Sequence, residues 1–454
     1  MTEHIDTYFF LGIGGIGMSA LANYLKKYGY TVAGYDANKS QITWQLEKSG
    51  IPIIYNDTPE LLPQHLTPEN TLVVLTPAIK EGKLLEYFQK NGFKIIKRSQ
   101  LLGQITNNQK LIAIAGTHGK TSTSAITAHI LLQADKLRSG FIGGIVKPYN
   151  SNLIIPETKH TQGYIVAEAD EYDRSFLHLH PDIAIITSID ADHLDIYKNL
   201  DEIKKSFEQF VSGAKKNAHI IINQKVEITI PEDKRKYTYG LSDNCDFYAD
   251  NITQQGTKQH FTLHLNNQQI QTFILFPGQA YLENAVAAAA AAYLAGVPVE
   301  TIAQGLQTYQ GTKRRFDLRI NNGQSLIYDD YAHHPAEIQA LYQSARQAYP
   351  DKKLTIIFQP HLFSRTRDFA REFASALELF DNIIITDIYP AREKPIPGIT
   401  PNTILQHIQK TEKQYISIDK LEEYLAQLNN QIIFVTGAGD INSIIDKLEQ
   451  KTNK

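Results

Sequence analysis

The sequence predicts an α/β fold in three domains, each built on a mostly parallel sheet. Two Gly-rich turns, each set between an apolar strand and a helical pattern, carry that prediction, together with a third stretch in which strands and helices alternate regularly. At ~100–200 residues per domain, a chain of 454 residues accommodates three. The expected boundaries are 1–106, 107–318 and 319–454.

The first domain opens on the strand Tyr8–Leu11, which runs into Gly12-Ile13-Gly14-Gly15-Ile16-Gly17. A helical pattern follows through Lys27, then a second strand, Thr31–Tyr35, that ends on Asp36. Strand, Gly turn, helix, strand and acid make a Rossmann-like βαβ unit. A diphosphate is expected at the helix N-terminus, against Gly12, Gly14, Gly15, Ile16 and Gly17, with Asp36 near a ribose. Whether that ligand is a nicotinamide cofactor or a nucleotide sugar stays open at this point. Leu72–Leu75 is a later buried strand of the same domain.

The second domain opens on the strand Leu111–Ala115, the loop Gly116-Thr117-His118-Gly119-Lys120-Thr121 and an apolar helix from Ser122 to about Leu132. Glycines let backbone N–H groups approach phosphate oxygens, and the helix N-terminus adds partial positive charge. Lys120 can reach the outer phosphates of ATP, and the Thr121 hydroxyl can bind Mg²⁺. The full Walker pattern has a Gly at position 114, where Ile114 stands, so the loop is a shortened variant of a central P-loop-type ATPase domain. Two acid-rich segments, Glu168–Asp173 and Asp190–Asp195, follow the strands Tyr164–Ala167 and Ile183–Ile186, which should flank the loop strand. Such clusters repel unless a cation lies between them. Glu168 and Thr121 suit Mg²⁺; His193 is an unusual partner, because magnesium prefers oxygen. Residues 246–276 alternate as β-strands, with Asn266-Asn267 as a hairpin turn. The run Ala285–Ala295 reads as a buried helix, capped by Asn284 and ended by Gly296 and Pro298.

The third domain alternates the strands Ser325–Asp329, Leu354–Phe358, Asn382–Thr386 and Ile432–Thr436 with helices over 336–348, 366–380 and 420–428. That pattern predicts a Rossmann-like, doubly wound sheet with its ligand face at the strand C-termini. Asp329-Asp330-Tyr331-Ala332-His333-His334-Pro335 closes one strand, and Gln359–Arg367 closes the next. Imidazoles and guanidiniums there suit a carboxylate ligand.

Composition narrows the class of partner. A formal charge of −3 gives no reason to expect nucleic acid or a membrane surface. The start carries no basic, apolar leader pattern, and the most apolar helical run is too short to span a bilayer. Cys245 is the only cysteine, which excludes an intrachain disulfide and a Cys-based zinc site and fits a reducing cytoplasm.

Taken together, these motifs resemble the Mur ligases of peptidoglycan precursor synthesis, in the family's order and over essentially the whole chain. The strings that carry the resemblance are Gly12–Gly17, Gly116–Thr121, Glu168–Leu177, Asp192–Tyr197, Arg314–Asp317 and Asp329–Pro335. The resemblance implies that the first domain holds UDP-N-acetylmuramate, the second binds ATP and the third admits L-alanine. It implies phosphorylation of the lactyl carboxylate by ATP, followed by attack of the alanine amine on the acyl phosphate. By resemblance Thr121, Glu168 and His193 are the Mg²⁺ set, with Lys120, Glu168, His193 and Arg315 catalytic. Asn284 and Arg315 contact ATP and Asp330 its ribose; Tyr331, His333, His361 and Arg365 line the amino-acid pocket. The chain is expected to act as a monomer or homodimer.

Two departures stand out. Ala280-Tyr281 replaces a His-Asn pair of the family, and Leu362 replaces an Arg after the pocket histidine. The carbamylated lysine of later members has no clear counterpart. Three competing readings remain: a Rossmann dehydrogenase, a nucleotide-gated binding protein without turnover, and a related ligase that takes a tripeptide in place of alanine.

Overall fold

The computed structural model describes residues 5–157, 162–190, 199–391 and 393–452. These residues divide into two compact units. One comprises the chain up to Asp250 with Thr262–Thr272 and Glu283–Gln310; the other comprises Asn251–Phe261, Phe273–Leu282 and Gly311 onward. Three sheets run through them, as the sequence predicts for a three-domain α/β fold.

The first sheet holds β1 (Thr7–Leu11), β2 (Thr31–Tyr35), β3 (Ile53–Ile54), β4 (Thr71–Leu75) and β5 (Lys94–Lys97) in the order β3-β2-β1-β4-β5. Every pairing is parallel. β1 is buried along its whole length, as expected of a central parallel strand covered on both faces. It delivers the Gly turn to the helix Ile16–Lys27, so the turn sits at the C-terminal edge of the sheet. Gly12 adopts φ +84°, a conformation that side-chain-bearing residues rarely take.

The second sheet holds β6 (Leu111–Ala115), β7 (Leu137–Val146), β8 (Ser151–Ile154), β9 (Tyr164–Glu168), β10 (Ile183–Ile186), β11 (His219–Asn223), β12 (Arg235–Gly240), β13 (Phe247–Gln255), β14 (Lys258–Leu265) and β15 (Gln268–Ile274). Their order is β15-β14-β13-β12-β11-β10-β6-β9-β7-β8. The loop strand β6 therefore lies between β9 and β10, parallel to both, so the acid-rich segment after β9 leaves the sheet beside the phosphate loop; of the segment after β10 only Asp190 is among the described residues. Asn266, at φ +53°, turns the predicted hairpin between β14 and β15. The acidic segment after β9 is anchored by Phe176, fully buried, stacked on Phe210 at 5.0 Å and edge-on to Phe207 at 5.2 Å. Burying such a ring contributes roughly 1.5–3 kcal/mol toward holding this segment against the core.

The Ala-rich helix spans Gln279–Leu294 and so starts six residues before its Ala run, which places Asn284 inside it and not at its cap. Tyr281 and Leu282 extend the apolar face back past Asn284, which is why the start was misplaced. Ala285–Ala292 are fully buried, consistent with a helix that needs small side chains to pack closely.

The third sheet holds β16 (Asp317–Asn321), β17 (Leu326–Asp330), β18 (Leu354–Phe358), β19 (Asn382–Ile385), β20 (Lys413–Tyr415) and β21 (Ile432–Thr436) in the order β16-β17-β21-β18-β19-β20. All pairings are parallel except the edge pair β16–β17. The helix expected over 366–380 is two, Phe363–Asp368 and Ala370–Leu377, broken at Phe369. Among the described residues no helix is long and apolar enough to cross a membrane.

Candidate active site

The phosphate loop is held by the residues that follow β10. Thr117 N–H donates to the Ser188 carbonyl at 3.0 Å, His118 N–H to Ser188 Oγ at 2.9 Å, and Asp190 N–H to Thr117 Oγ at 2.9 Å. The Thr187 hydroxyl donates to the His118 carbonyl at 2.5 Å. Gly116 leaves no room for a side chain: a Cβ there would lie 2.0 Å from Thr187 Oγ, and its φ of +139° disfavours L side chains. Gly119, at φ +84°, starts the helix Lys120–Gln133, and a Cβ on it would meet Asn284 Oδ1 at 2.5 Å. Asn284 also accepts from the Thr123 hydroxyl at 3.2 Å, so this residue stands against the loop. Ser122 falls in the first helical turn.

Lys120 turns back onto the loop. Its ammonium donates to the Gly116 carbonyl at 2.5 Å, to the Thr117 carbonyl at 3.2 Å and to Glu171 Oε1 at 2.8 Å. Burial works against its charge, but Glu171, Asp170 and Glu168 outweigh that and hold its pKa above the usual lysine value. The Glu171 side chain is only 3% exposed, and burial lifts its pKa against the pull of Lys120. Sequence reading quoted Glu171 without giving it a role.

Thr121 and Glu168 come together as expected. The Thr121 hydroxyl lies 3.1 Å from both Glu168 carboxylate oxygens, and Gly143 N–H donates to Glu168 Oε2 at 2.8 Å. Gly143 was missed; its signal is the Gly143-Gly144 pair inside the apolar strand β7. A Cβ on Gly143 would lie 2.2 Å from Glu168 Oε2. His193, the third predicted metal residue, lies outside the described residues. Among the described residues no three His, Cys, Asp or Glu side chains form a metal-holding group. The all-oxygen pair of Thr121 and Glu168 nevertheless fits a hard cation such as Mg²⁺.

At the first Gly turn, Gly14 N–H donates to Asp36 Oδ2 at 2.8 Å, and Asn38 N–H to Asp36 Oδ1 at 3.1 Å. Asp36 thus shapes the turn from below in addition to its expected place near a ribose. Gly15 precedes the first helical residue, Ile16, whose carbonyl accepts from the Asn152 side-chain amide. Over Gly17 lies Arg98, which pairs with Asp170 at 3.1 Å. Arg98 was missed because it is 81 residues beyond the turn and carries no motif.

The second unit gathers the predicted amino-acid residues. His333 and His361 ring centres are 6.1 Å apart, His361 stacks on Tyr389 at 5.7 Å, and Tyr331 meets His333 edge-on at 5.3 Å. Burial, then His333 and Arg365, push the His361 pKa down to about 4, so it is neutral near pH 7. Burial lowers His333 as well, against the nearby Glu337. Arg365 acts on both imidazoles from the short helix Phe363–Asp368. Ser364, on the same helix, donates through N–H and Oγ to Glu393. Leu362 precedes this helix at φ +73°, a left-handed conformation costly for a branched residue. Arg314 and Arg315 lie over the Tyr331 ring at 4.9 and 5.1 Å. Asp330 is buried and accepts from Phe316 N–H at 2.8 Å and Ala332 N–H at 2.9 Å. Tyr281, one of the departures, stacks on Phe276 at 5.2 Å and meets Phe316 edge-on at 6.4 Å.

This fold and these sites define a class. Three family models match in succession: the Mur ligase family catalytic domain over residues 7–110, the Mur ligase middle domain over 114–292 and the Mur ligase glutamate ligase domain over 314–439. The chain belongs to the Mur ligase family. It is 42% identical to the UDP-N-acetylmuramate–L-alanine ligase of Cytophaga hutchinsonii, covering 98% of this chain and 97% of the relative. Against the ligase of that name from Flavobacterium psychrophilum the identity is also 42%, over 100% and 99%. Among solved structures, the UDP-N-acetylmuramate-alanine ligase MurC of Thermotoga maritima matches with a TM-score of 0.84 at 25% identity, over 98% and 99% of the two chains. A murein peptide ligase from Psychrobacter arcticus matches at 0.71 and 26%, over 98% of each.

Proposed function

We propose that this chain joins L-alanine to the lactyl carboxylate of UDP-N-acetylmuramate, using ATP and releasing ADP and phosphate, in peptidoglycan precursor synthesis. The observation that carries this reading is likeness at 40–42% identity, over nearly the whole chain, to ligases of that name from seven species. Residues 1–106 take the UDP-sugar, 107–318 the ATP and 319–454 the amino acid. The single cysteine fits work in a reducing cytosol, by a monomer or homodimer.

In the ATP domain, the loop amides of Gly116–Ser122 receive the phosphates, and Lys120 swings from Glu171 onto the outer ones. Transfer to the lactyl carboxylate develops charge on the phosphoryl oxygens, and a fixed ammonium offsets it without reorganising water. Thr121 and Glu168 would hold Mg²⁺, with His193 as a further candidate; the ion would neutralise phosphate charge there. Gly143 fixes the carboxylate that faces it. Arg315 and Asp330 remain proposed contacts of ATP, as does Asn284.

In the amino-acid domain, Arg365 takes the alanine carboxylate, since an unpaired buried charge is costly and a guanidinium grips a carboxylate with two bonds. His333, His361 and Tyr331 wall the pocket. His361 is neutral near pH 7, so it adds no positive charge to oppose the ammonium of the incoming amino acid. The acyl-phosphate step has a direct test. With the lactyl carboxylate labelled by oxygen-18, one labelled oxygen should appear in the released phosphate. Label retained wholly in the amide product and residual carboxylate would rule the intermediate out.

A further inference from the structure

Two adjacent acids each hold a cation that borders a different Gly turn. Arg98 Nη2 donates to Asp170 Oδ2 at 3.1 Å, while Nη1 faces Gly17, where a Cβ would come within 2.5 Å of it. One residue further on, Glu171 Oε1 accepts from Lys120 Nζ at 2.8 Å. Asp170 is itself fixed: Tyr172 N–H donates to its Oδ1 at 3.0 Å, and Phe176 N–H donates to its carbonyl at 2.9 Å. Arg98, Asp170 and Glu168 line one crevice with Ser99 and Ser175.

We propose that Asp170 and Glu171 are positioning residues that couple the two nucleotide sites. Asp170 sets Arg98 toward the diphosphate of the sugar nucleotide, Glu171 holds Lys120 beside the phosphate loop until ATP draws it over, and occupancy of one site changes affinity at the other. The proposal rests on the assignment of the sugar nucleotide to the first Gly turn.

The physical route is short. A diphosphate beside Gly17 brings negative charge to the Arg98 guanidinium and draws it away from Asp170. The Asp170 carboxylate is then less compensated, in the crevice that also holds Glu168, so a nucleotide that arrives with a divalent cation binds more tightly. A planar fork presents separate fixed edges to the carboxylate and to the phosphate, and a lysine ammonium lacks that geometry. Linkage requires the effect to be reciprocal.

Calorimetry on the full chain tests this. The probes are UDP and a non-hydrolysable ATP analogue with Mg²⁺, each titrated with and without the other. For the unaltered protein, UDP should tighten the analogue by about fivefold or more, and the analogue should tighten UDP by the same factor. Asp170→Asn should bind both ligands with the factor reduced to about one. Arg98→Lys should retain UDP binding and lose the coupling. A merely structural Asp170 would weaken either ligand without altering the ratio, so an undiminished factor in Asp170→Asn overturns the proposal. UDP binding without coupling in the unaltered protein also overturns it while leaving the site assignment intact. No UDP binding at all sinks both.

Discussion

Replacing Lys120 with Met separates the two tasks of that side chain. The Met stem keeps most of the packing, but Glu171 loses a partner 2.8 Å away in a place where its side chain is 3% exposed. Removing one member of a buried ion pair typically costs ~3–5 kcal/mol, because the other charge is left without compensation. Burial already lifts the Glu171 pKa, and losing Lys120 removes the largest influence that opposes that rise. Its folded state then holds a proton more tightly than its unfolded state. The penalty should therefore be small below the unfolded carboxylate pKa and grow as pH rises through the raised folded value. Urea unfolding should show Lys120→Met less stable by about 3 kcal/mol at pH 8 and by clearly less at pH 5. Lys120→Met with Glu171→Gln removes both charges and should recover most of the loss. Phosphate release should fall in both variants by about 10²–10³, the usual effect of deleting one preorganised charge donor. Equal stability of single and double variants at pH 8 would refute the buried-pair argument. Full turnover in Lys120→Met would refute the assignment of the phosphate loop.

Further outcomes follow from other sites. Gly14→Val puts a Cβ 2.8 Å from both Asp36 Oδ2 and Thr43 Cγ2, so UDP affinity measured by calorimetry should drop while ATP-analogue affinity holds; unchanged UDP affinity would move the sugar site elsewhere. Arg365→Lys should raise the KM for L-alanine about tenfold to a hundredfold, matching the ~1.5–3 kcal/mol of a hydrogen bond to a charged group, with the KM for ATP little altered. If the ATP value moves instead, Arg365 serves the phosphates. Burial pushes His129 down to about 4, below its unfolded 6.5, so the unfolded chain binds more protons between those values and stability should fall as pH drops through that window. His129→Asn should flatten that slope; an unchanged slope would remove His129 from the account.

Much of the site was legible where chemistry and chain order coincide. Apolar strands that meet Gly turns fix β1 and β6, because a parallel strand buried on both faces reads as a continuous apolar run. The pairing of Thr121 with Glu168 was legible because Glu168 ends a strand expected beside the one that carries the loop. What was not legible is held by long-range backbone contacts. Gly143 N–H on Glu168, Phe316 N–H on Asp330 and Gly14 N–H on Asp36 involve amides that every residue has, so no residue type announces them. Arg98 is read only once β5 and the helix Arg98–Thr106 bring it over Gly17. The N-cap expected at Asn284 failed for the opposite reason. Composition marked the Ala run, but Gln279–Glu283 continue the helix backward without an Ala among them except Ala280.

The central claim is the ligation itself. The purified chain, given UDP-N-acetylmuramate, ATP and Mg²⁺, is to be offered L-alanine, L-serine, glycine and the tripeptide in separate reactions, with the product mass and released phosphate followed together. The account predicts an ATP-dependent product heavier by one alaninyl residue, phosphate in equal amount, and L-alanine preferred over the tripeptide by a wide margin. Efficient joining of the tripeptide with no alanine product, or phosphate release with no amide formed, would contradict it.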